Sequence, residues 1–114
     1  MEPLDDRFNL DRLIHEPARL AILTVLTASS YADFKFLQSI TGLSQGNLSS
    51  HIAHLEEAGL VVIERTYRRK RPYTIFRATP AGHDRYQAHW RQLDAVRNSP
   101  KDRRFVFPPR PATE

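Results

Sequence analysis

A short break between two apolar patterns constrains the fold of this chain more than any other feature. In "QSITGLSQGNL" one pattern ends at Gly42 and the next begins after Ser44. Glycine ends helices because it tolerates the left-handed conformation, and serine caps the free amides of a helix that follows. So short a turn forces the second helix to cross the first at a steep angle. The polar face of the second helix then projects from the core.

Apolar spacing sets the extent of these two helices. Residues that recur at three-residue steps predict the first helix over roughly 32–41. The second is predicted over about 45–58, where Gly59 ends it. The apolar residues that define the two patterns are Phe34, Leu37 and Ile40 in the first and Leu48, Ile52 and Leu55 in the second.

Further elements lie on either side of this pair. Pro17 suits an early helical position and opens a predicted buried helix over 17–28, after a short helical stripe at 10–14. "LVVIERTY" and "YTIFRAT" are rich in β-branched and aromatic residues and predict two strands. "RRKRP" between them predicts a hairpin loop of about five residues. Thr79 and Pro80 then predict the start of a last helix that ends near Asn98.

This order of elements predicts a mainly α fold with a small β-hairpin, the winged helix-turn-helix. With 114 residues the chain has room for one domain. We assign that domain to residues 10–98, with residues 80–98 as a C-terminal dimerisation helix. Residues 1–9 are expected to be flexible. Residues 99–114 hold four prolines and are expected to form a mobile tail.

The projecting face of helix 45–58 is small, polar and free of acidic residues. Small side chains let a helix approach base edges, and amide, hydroxyl and imidazole groups can pair with bases. His51 lies nearer the buried edge, where we expect it to pack and to donate to a carbonyl or a phosphate. The residues predicted to read DNA, including those of the first helical turn, are Ser44, Gln45, Asn47, Ser49, Ser50 and His54.

The hairpin loop concentrates positive charge beside this helix. Phosphates line both sides of a DNA groove, so cations on the hairpin can lie along the backbone or enter the adjacent minor groove. A charged loop that only keeps a strand edge from aggregating is the plainer alternative. The cations predicted to contact DNA are Arg65, Arg68, Arg69, Lys70 and Arg71.

Composition argues against several other classes of protein. The chain has no cysteine, which removes disulfides and thiolate metal sites, and a formal charge of +4. No apolar run is long enough to span a membrane, so we expect a cytoplasmic protein without membrane contact. His51 and His54 have a spacing seen in zinc sites, but no further ligand is spaced to complete one. We predict no metal, no cofactor and no enzymatic activity.

Three stretches carry a resemblance to a known family. They are "LIHEPARLAILTVL", "ADFKFLQSITGLSQGNLSSHIAHLEEAGLV" and "RPYTIFRATPAG". From residue 13 to about 97 the chain resembles the small winged-helix transcriptional regulators of the MarR/ArsR type, particularly the compact group with Gly-Asn-Leu in the recognition helix. The resemblance implies a dimeric DNA-binding repressor or activator. The cysteine-containing metal sites of that family are not carried over, because this chain cannot build them.

A dimer is also expected from the apolar stripe of the last helix. A domain of this size has little core left to bury that stripe, and we therefore expect a second copy of the chain to bury it. The two recognition helices would then lie about 34 Å apart and read an inverted repeat. An aromatic pocket for a small effector is possible there but not indicated. The predicted interface residues are Leu10, Leu13, Ile14, Tyr86, Trp90 and Leu93.

Two other functions stay open at the level of sequence. A winged helix can serve as a protein interaction module, since fold alone does not settle function. It can also bind DNA architecturally, through the wing and with little sequence preference. Against the first alternative, the projecting helix face lacks large apolar residues. Against the second, Ser and Asn are mediocre helix formers whose use within a helix favours base reading.

Overall fold

The structure, a computed structural model, describes residues 11–98 as four helices and a small antiparallel sheet. Leu10 and the segments predicted to be flexible, 1–9 and 99–114, lie outside the described residues. The mainly α winged helix-turn-helix predicted from the sequence is confirmed. In chain order the elements are α1 (Pro17–Ala28), β1 (Ala32–Asp33), α2 (Phe34–Thr41), α3 (Gln45–Glu57), β2 (Val61–Arg68), β3 (Arg71–Ala78) and α4 (Pro80–Asn98).

The turn between α2 and α3 has the caps that its sequence predicts. Gly42 adopts the left-handed conformation, with φ 71°, and its amide donates to the Gln38 carbonyl at 2.9 Å. The Ser44 hydroxyl accepts from the Asn47 amide at 3.2 Å. Two residues, Leu43 and Ser44, are therefore enough to connect Gly42 with α3.

The helical stripe predicted at 10–14 is only a single turn. The Asp11 carboxylate accepts from the amides of Leu13 and Ile14 at 3.1 and 3.4 Å, and the His15 amide donates to the Asp11 carbonyl. The turn cannot continue into α1 because Glu16 precedes a proline and is extended, with φ −135° and ψ 127°.

The helix predicted from residue 32 begins at Phe34, because Ala32 and Asp33 form a strand that was not predicted. They pair with Phe76 and Ile75, so the sheet has the order β1-β3-β2. Asp33 ends the strand and caps the helix: its carboxylate accepts from the Phe36 amide at 2.8 Å. A two-residue strand has no periodicity of its own to reveal it.

The hairpin loop is shorter than the five residues predicted. Strands β2 and β3 pair from Val61 opposite Ala78 to Arg68 opposite Arg71, which leaves a two-residue turn. Arg69 and Lys70 have φ values of 54° and 66°. Positive φ at both central residues is typical of the turn whose twist matches paired strands. The hairpin is therefore paired to its tip.

One core joins the helices to the base of the sheet. The face of α3 predicted to be buried is buried, and α1 supplies three more fully enclosed side chains. Ile14 also enters this core. The buried cluster comprises Ile14, Ile22, Leu23, Leu26, Ala32, Leu37, Leu48, Ile52, Leu55, Leu60, Val61 and Phe76.

Helix α4 is fixed to the hairpin at its first turn. The Thr79 hydroxyl accepts from the Gly82 amide at 3.0 Å and donates to the Gly59 carbonyl at 2.6 Å. Gly82 is buried so closely against Leu60 that a Cβ at this position would collide with the Leu60 carbonyl oxygen. Glycine is required here by the close approach of two backbones.

The N-terminal segment crosses the middle of α4 through polar contacts. Arg85 donates to both carboxylate oxygens of Asp11 at 2.9 Å. His89 is fully buried, with its Nε2 atom 3.4 Å from Nδ1 of His15. Burial and then the neighbouring His15 lower the pKa of His89, and Asp11 opposes them in part. The sequence pattern pointed to Tyr86 and Trp90, so it missed this histidine.

Candidate nucleic-acid interface

The outward face of α3 is exposed along its whole length. Every residue on it that was predicted to read DNA is exposed, as are the small residues Gly46 and Ala53 among them. Glu56 and Glu57 are exposed at the far end of the helix. The face is therefore open for the approach of a partner. The exposed polar residues are Ser44, Gln45, Asn47, Ser49, Ser50 and His54.

The five cations predicted on the wing are also exposed, but they do not share one face. Strand alternation places Arg65 and Arg68 on opposite sides of the hairpin. Arg65 shares a groove of about 390 Å³ with Ser49, Ala53 and Glu56 of α3. The recognition face and one side of the wing thus border the same groove. The remaining cations, Arg69, Lys70 and Arg71, lie at or next to the turn.

Arg68 is held by a chain of contacts that reaches α2. Its guanidinium lies over the Tyr73 ring, 5.2 Å from the centroid, with Nη1 3.4 Å from the Tyr73 hydroxyl. That hydroxyl donates to the Asp33 carboxylate at 2.7 Å. The Tyr73 bond, then the Phe36 amide, keep the pKa of Asp33 below its usual value, and the bond to Asp33 raises the pKa of Tyr73.

A second and larger hollow lies on this side of the wing. It measures about 690 Å³ and is bordered by β1, the start of α2 and the hairpin. Lys35, which sequence reasoning did not select, lines it together with Arg68. The hollow, which we call the wing–α2 hollow, is lined by Asp33, Phe34, Lys35, Arg68, Arg69, Arg71, Pro72, Tyr73 and Thr74.

No local pattern marks Lys35, Tyr73 and Asp33 as one group. Asp33 and Tyr73 are 40 residues apart, and β1 brings them together only because it pairs with β3. The signal that could have found them is the Asp-Phe-Lys sequence after Ala32, read as a strand end with a capping aspartate. It was interpreted instead as the first turn of a helix that begins at residue 32.

His51 packs inside the domain, as its place on the helical wheel predicts. It is half-buried, with Nδ1 3.2 Å from a carboxylate oxygen of Glu16. Its neighbour is therefore this carboxylate rather than a carbonyl. Within residues 11–98, no group of three or more histidine and acidic side chains is placed to hold a metal ion.

The residues predicted for a dimer interface differ in exposure. Ile14 is fully buried in the chain's own core, so its assignment to an exposed interface is wrong. Leu13 and Leu93 are half-buried, and the Tyr86 hydroxyl lies 2.8 Å from Oγ1 of Thr24. Trp90 is 40% exposed. Trp90 is thus the large apolar side chain that α4 presents to solvent.

Comparisons with known proteins agree with this arrangement. A family model described as a winged helix DNA-binding domain matches residues 18–96. Protein MJ0432 of Methanocaldococcus jannaschii is 31% identical over 71 residues, which are 62% of this chain and 77% of the relative. A transcriptional regulator homologue from Pyrococcus horikoshii OT3 is 31% identical, with a TM-score of 0.75 over 87% of this chain and 97% of that one.

More distant solved structures share the fold. A MarR-family transcriptional regulator from Silicibacter pomeroyi is 24% identical, with a TM-score of 0.59 over 85% of this chain and 63% of that one. NadR, solved with 4-hydroxyphenylacetate, is 19% identical, with a TM-score of 0.61 over 80% of this chain and 67% of that one.

The chain belongs to the winged helix DNA-binding domain family. It is a transcriptional regulator with a winged-helix DNA-binding domain, and it shares the fold of the MarR-family regulator from Silicibacter pomeroyi. Within residues 11–98, no helix combines the length and apolar character needed to cross a membrane.

Proposed function

We propose that the protein acts as a homodimer that recognises an inverted repeat in double-stranded DNA. Helix α3 enters the major groove, and the wing lies on the phosphate backbone or in the adjacent minor groove. The observation that carries this proposal is the groove shared by Ser49 and Ala53 of α3 and Arg65 of the wing. A reading helix and a cationic hairpin that border one groove can meet one duplex together.

The two surfaces have separate tasks in this proposal. Asn47 and its polar neighbours on α3 contact base edges, because amides and hydroxyls can distinguish base pairs. The wing cations contact phosphates and carry no sequence information. Three or four such contacts give a log–log salt slope of roughly −3 for each half-site.

The dimer is built through α4, within the domain that spans residues 10–98. Trp90 is its exposed anchor, flanked by Tyr86 and Leu93 and by Leu13 of the N-terminal turn. Two-fold symmetry places the two α3 helices about 34 Å apart on one side of the duplex. We place this protein in the cytoplasm, where it binds DNA.

The first experiment is a genomic footprint of the purified protein, followed by binding of the recovered operator and of random duplexes. Arg69→Ala is expected to weaken binding to all duplexes about equally. Asn47→Ala is expected to change the preference among sequences, by about 1–3 kcal/mol at the base that it reads. Equal losses from both variants on every duplex would contradict base reading by α3 and favour an architectural binder.

A further inference from the structure

The wing–α2 hollow combines cations from two elements that are far apart in sequence. Lys35 is the second residue of α2, and Arg68, Arg69 and Arg71 come from the hairpin. All four side chains are exposed. Among residues 11–98, Asp33 is the one carboxylate that lines the hollow. The surface therefore has an excess of positive charge over a concave area.

The negative charge of Asp33 is already engaged by donors. One carboxylate oxygen accepts the Tyr73 hydroxyl at 2.7 Å and the other accepts the Phe36 amide at 2.8 Å. Arg68 and Lys35 lie close enough to favour its ionised form. Arg68 itself donates to Tyr73 rather than to this carboxylate. Within the described part of the chain, the cations thus keep donors free for an external anion.

Tyr73 fixes the place of Arg68 before any ligand binds. The Arg68 guanidinium lies over the face of the Tyr73 ring, and the Tyr73 hydroxyl joins the hairpin to the Asp33 cap of α2. An arginine stacked on an aromatic ring loses less conformational freedom when it binds an anion than a free one. The Asp33–Tyr73–Arg68 chain is therefore suited to positioning a cation.

The hollow adjoins the groove that α3 borders. Phe34 and Thr74 line both, so the two surfaces are continuous around the hairpin. A duplex seated on α3 runs past the wing, and its backbone presents a phosphate every few ångströms. The anion that reaches this hollow in the proposed complex is a phosphodiester of DNA.

We propose that the wing–α2 hollow is a phosphate-binding site in which Lys35 and Arg68 hold one backbone phosphate of the duplex, with Tyr73 as a positioning residue. This inference rests on the proposed function, because the ligand is the duplex bound by α3. It adds α2 to the DNA-binding surface, which sequence reasoning confined to α3 and the wing.

Lys35→Ala tests the site through the salt dependence of binding. With a labelled random duplex, loss of one phosphate contact per subunit makes the log–log slope shallower by about 0.9 for each bound subunit. Arg91→Ala is the matched control, since it removes one exposed cation from α4, outside the hollow. A Lys35→Ala slope equal to that of the wild type and of Arg91→Ala would overturn the proposal.

Tyr73→Phe tests positioning separately from charge. It removes the hydroxyl and keeps the ring, so the slope is expected to stay unchanged while affinity falls roughly 2- to 10-fold, as the loss of one hydrogen bond implies. Tyr67→Phe, in the same hairpin and 75% exposed, is the control that keeps full affinity. Equal affinities of the two variants would remove Tyr73 from the proposal.

Two further outcomes separate the possible sources of failure. A wild-type protein that binds no duplex contradicts the proposed function itself, whereas a wild type that binds with Lys35 irrelevant contradicts only the hollow. A titration with inorganic phosphate, in which NMR follows the amide chemical shifts of Lys35 and Tyr73, detects binding of a free anion. If these shift changes saturate with phosphate but phosphate does not compete with the duplex, the assignment to DNA is overturned.

Discussion

Gly82 shows how one residue sets the position of a whole helix. A Cβ at this position would meet the Leu60 carbonyl oxygen, which also accepts the Thr79 amide at 3.0 Å. Helix α4 can approach the start of β2 only because position 82 has no side chain. The contact therefore fixes where α4 leaves the hairpin.

Gly82→Ala is expected to lower the stability of the domain. The added methyl group collides with backbone, which cannot rotate away, so a loss of about 1–3 kcal/mol in the free energy of unfolding is expected. Thermal and urea unfolding measure it. Gly46→Ala is the control, because no atom of residues 11–98 beyond its chain neighbours and the nearby backbone of its own helix lies within 4 Å of its added Cβ, and alanine favours a helix. Equal midpoints for the two variants would contradict this account of Gly82.

For single residues, the sequence predicted which side chains are exposed but not which side chains contact each other. The exposed residues of α3 follow from helical spacing alone, because Leu48, Ile52 and Leu55 identify the opposite face. The pairing of Tyr73 with Asp33 and of His15 with His89 depends on tertiary contacts between residues 40 and 74 positions apart. Spacing within one element contains no information about such pairs.

The hairpin shows that the geometry of an element can oppose the preferences of its residues. Arg69 and Lys70 occupy left-handed conformations that cost non-glycine residues roughly 1–2 kcal/mol each. Asn-Gly is the sequence that this turn favours. Arg69 and Lys70 therefore lower the stability of the hairpin at the place where we propose that it contacts DNA.

Replacing Arg69-Lys70 by Asn-Gly is expected to separate stability from binding. The melting temperature rises by roughly 4–8 °C, as about 1 kcal/mol implies for a domain of this size, while the DNA salt slope becomes shallower by about 1.8 for each half-site. Arg69→Gln combined with Lys70→Gln removes the same charge and keeps the strained backbone. If this double variant is stabilised as much as Asn-Gly, charge repulsion rather than backbone strain is the cause.

The long elements were predictable, and the two-residue strand was not. Helices α1 and α4 begin at the prolines that their sequences indicate, and α3 lies within a residue of its predicted end. The single turn at residues 11–15, predicted as a helical stripe at 10–14, is held by the Asp11 side chain. Strand β1 depends on hydrogen bonds to β3, and a segment of two residues is too short for a hydrophobic period to identify its structure.

For the whole molecule, the proposed dimer depends on α4. Trp90 contacts Tyr86 and His89 edge to face, with ring centroids 6.0 and 5.6 Å apart, and still exposes 40% of its surface. It is the only tryptophan of the chain. An anchored aromatic ring with one free side is suited to the centre of an interface.

Trp90→Glu is expected to yield a monomer and to weaken binding to an inverted repeat by at least tenfold, because a charge replaces the apolar anchor and one half-site is lost. Sedimentation equilibrium and operator titration measure the two effects. His83→Glu adds the same charge at an exposed position earlier on α4 and is expected to remain dimeric. A Trp90→Glu protein that sediments as a dimer would place the interface elsewhere.

Pairing of the hairpin to its tip also limits how such a wing can change in length. Adding one residue to each strand between the base of the hairpin and Arg65 would turn Arg65 and the cations beyond it to the opposite side, because side chains alternate along a strand. Only additions or deletions in pairs, each a step of about 7 Å, keep every cation on its side. The reach of this protein across a duplex can therefore vary only in discrete increments.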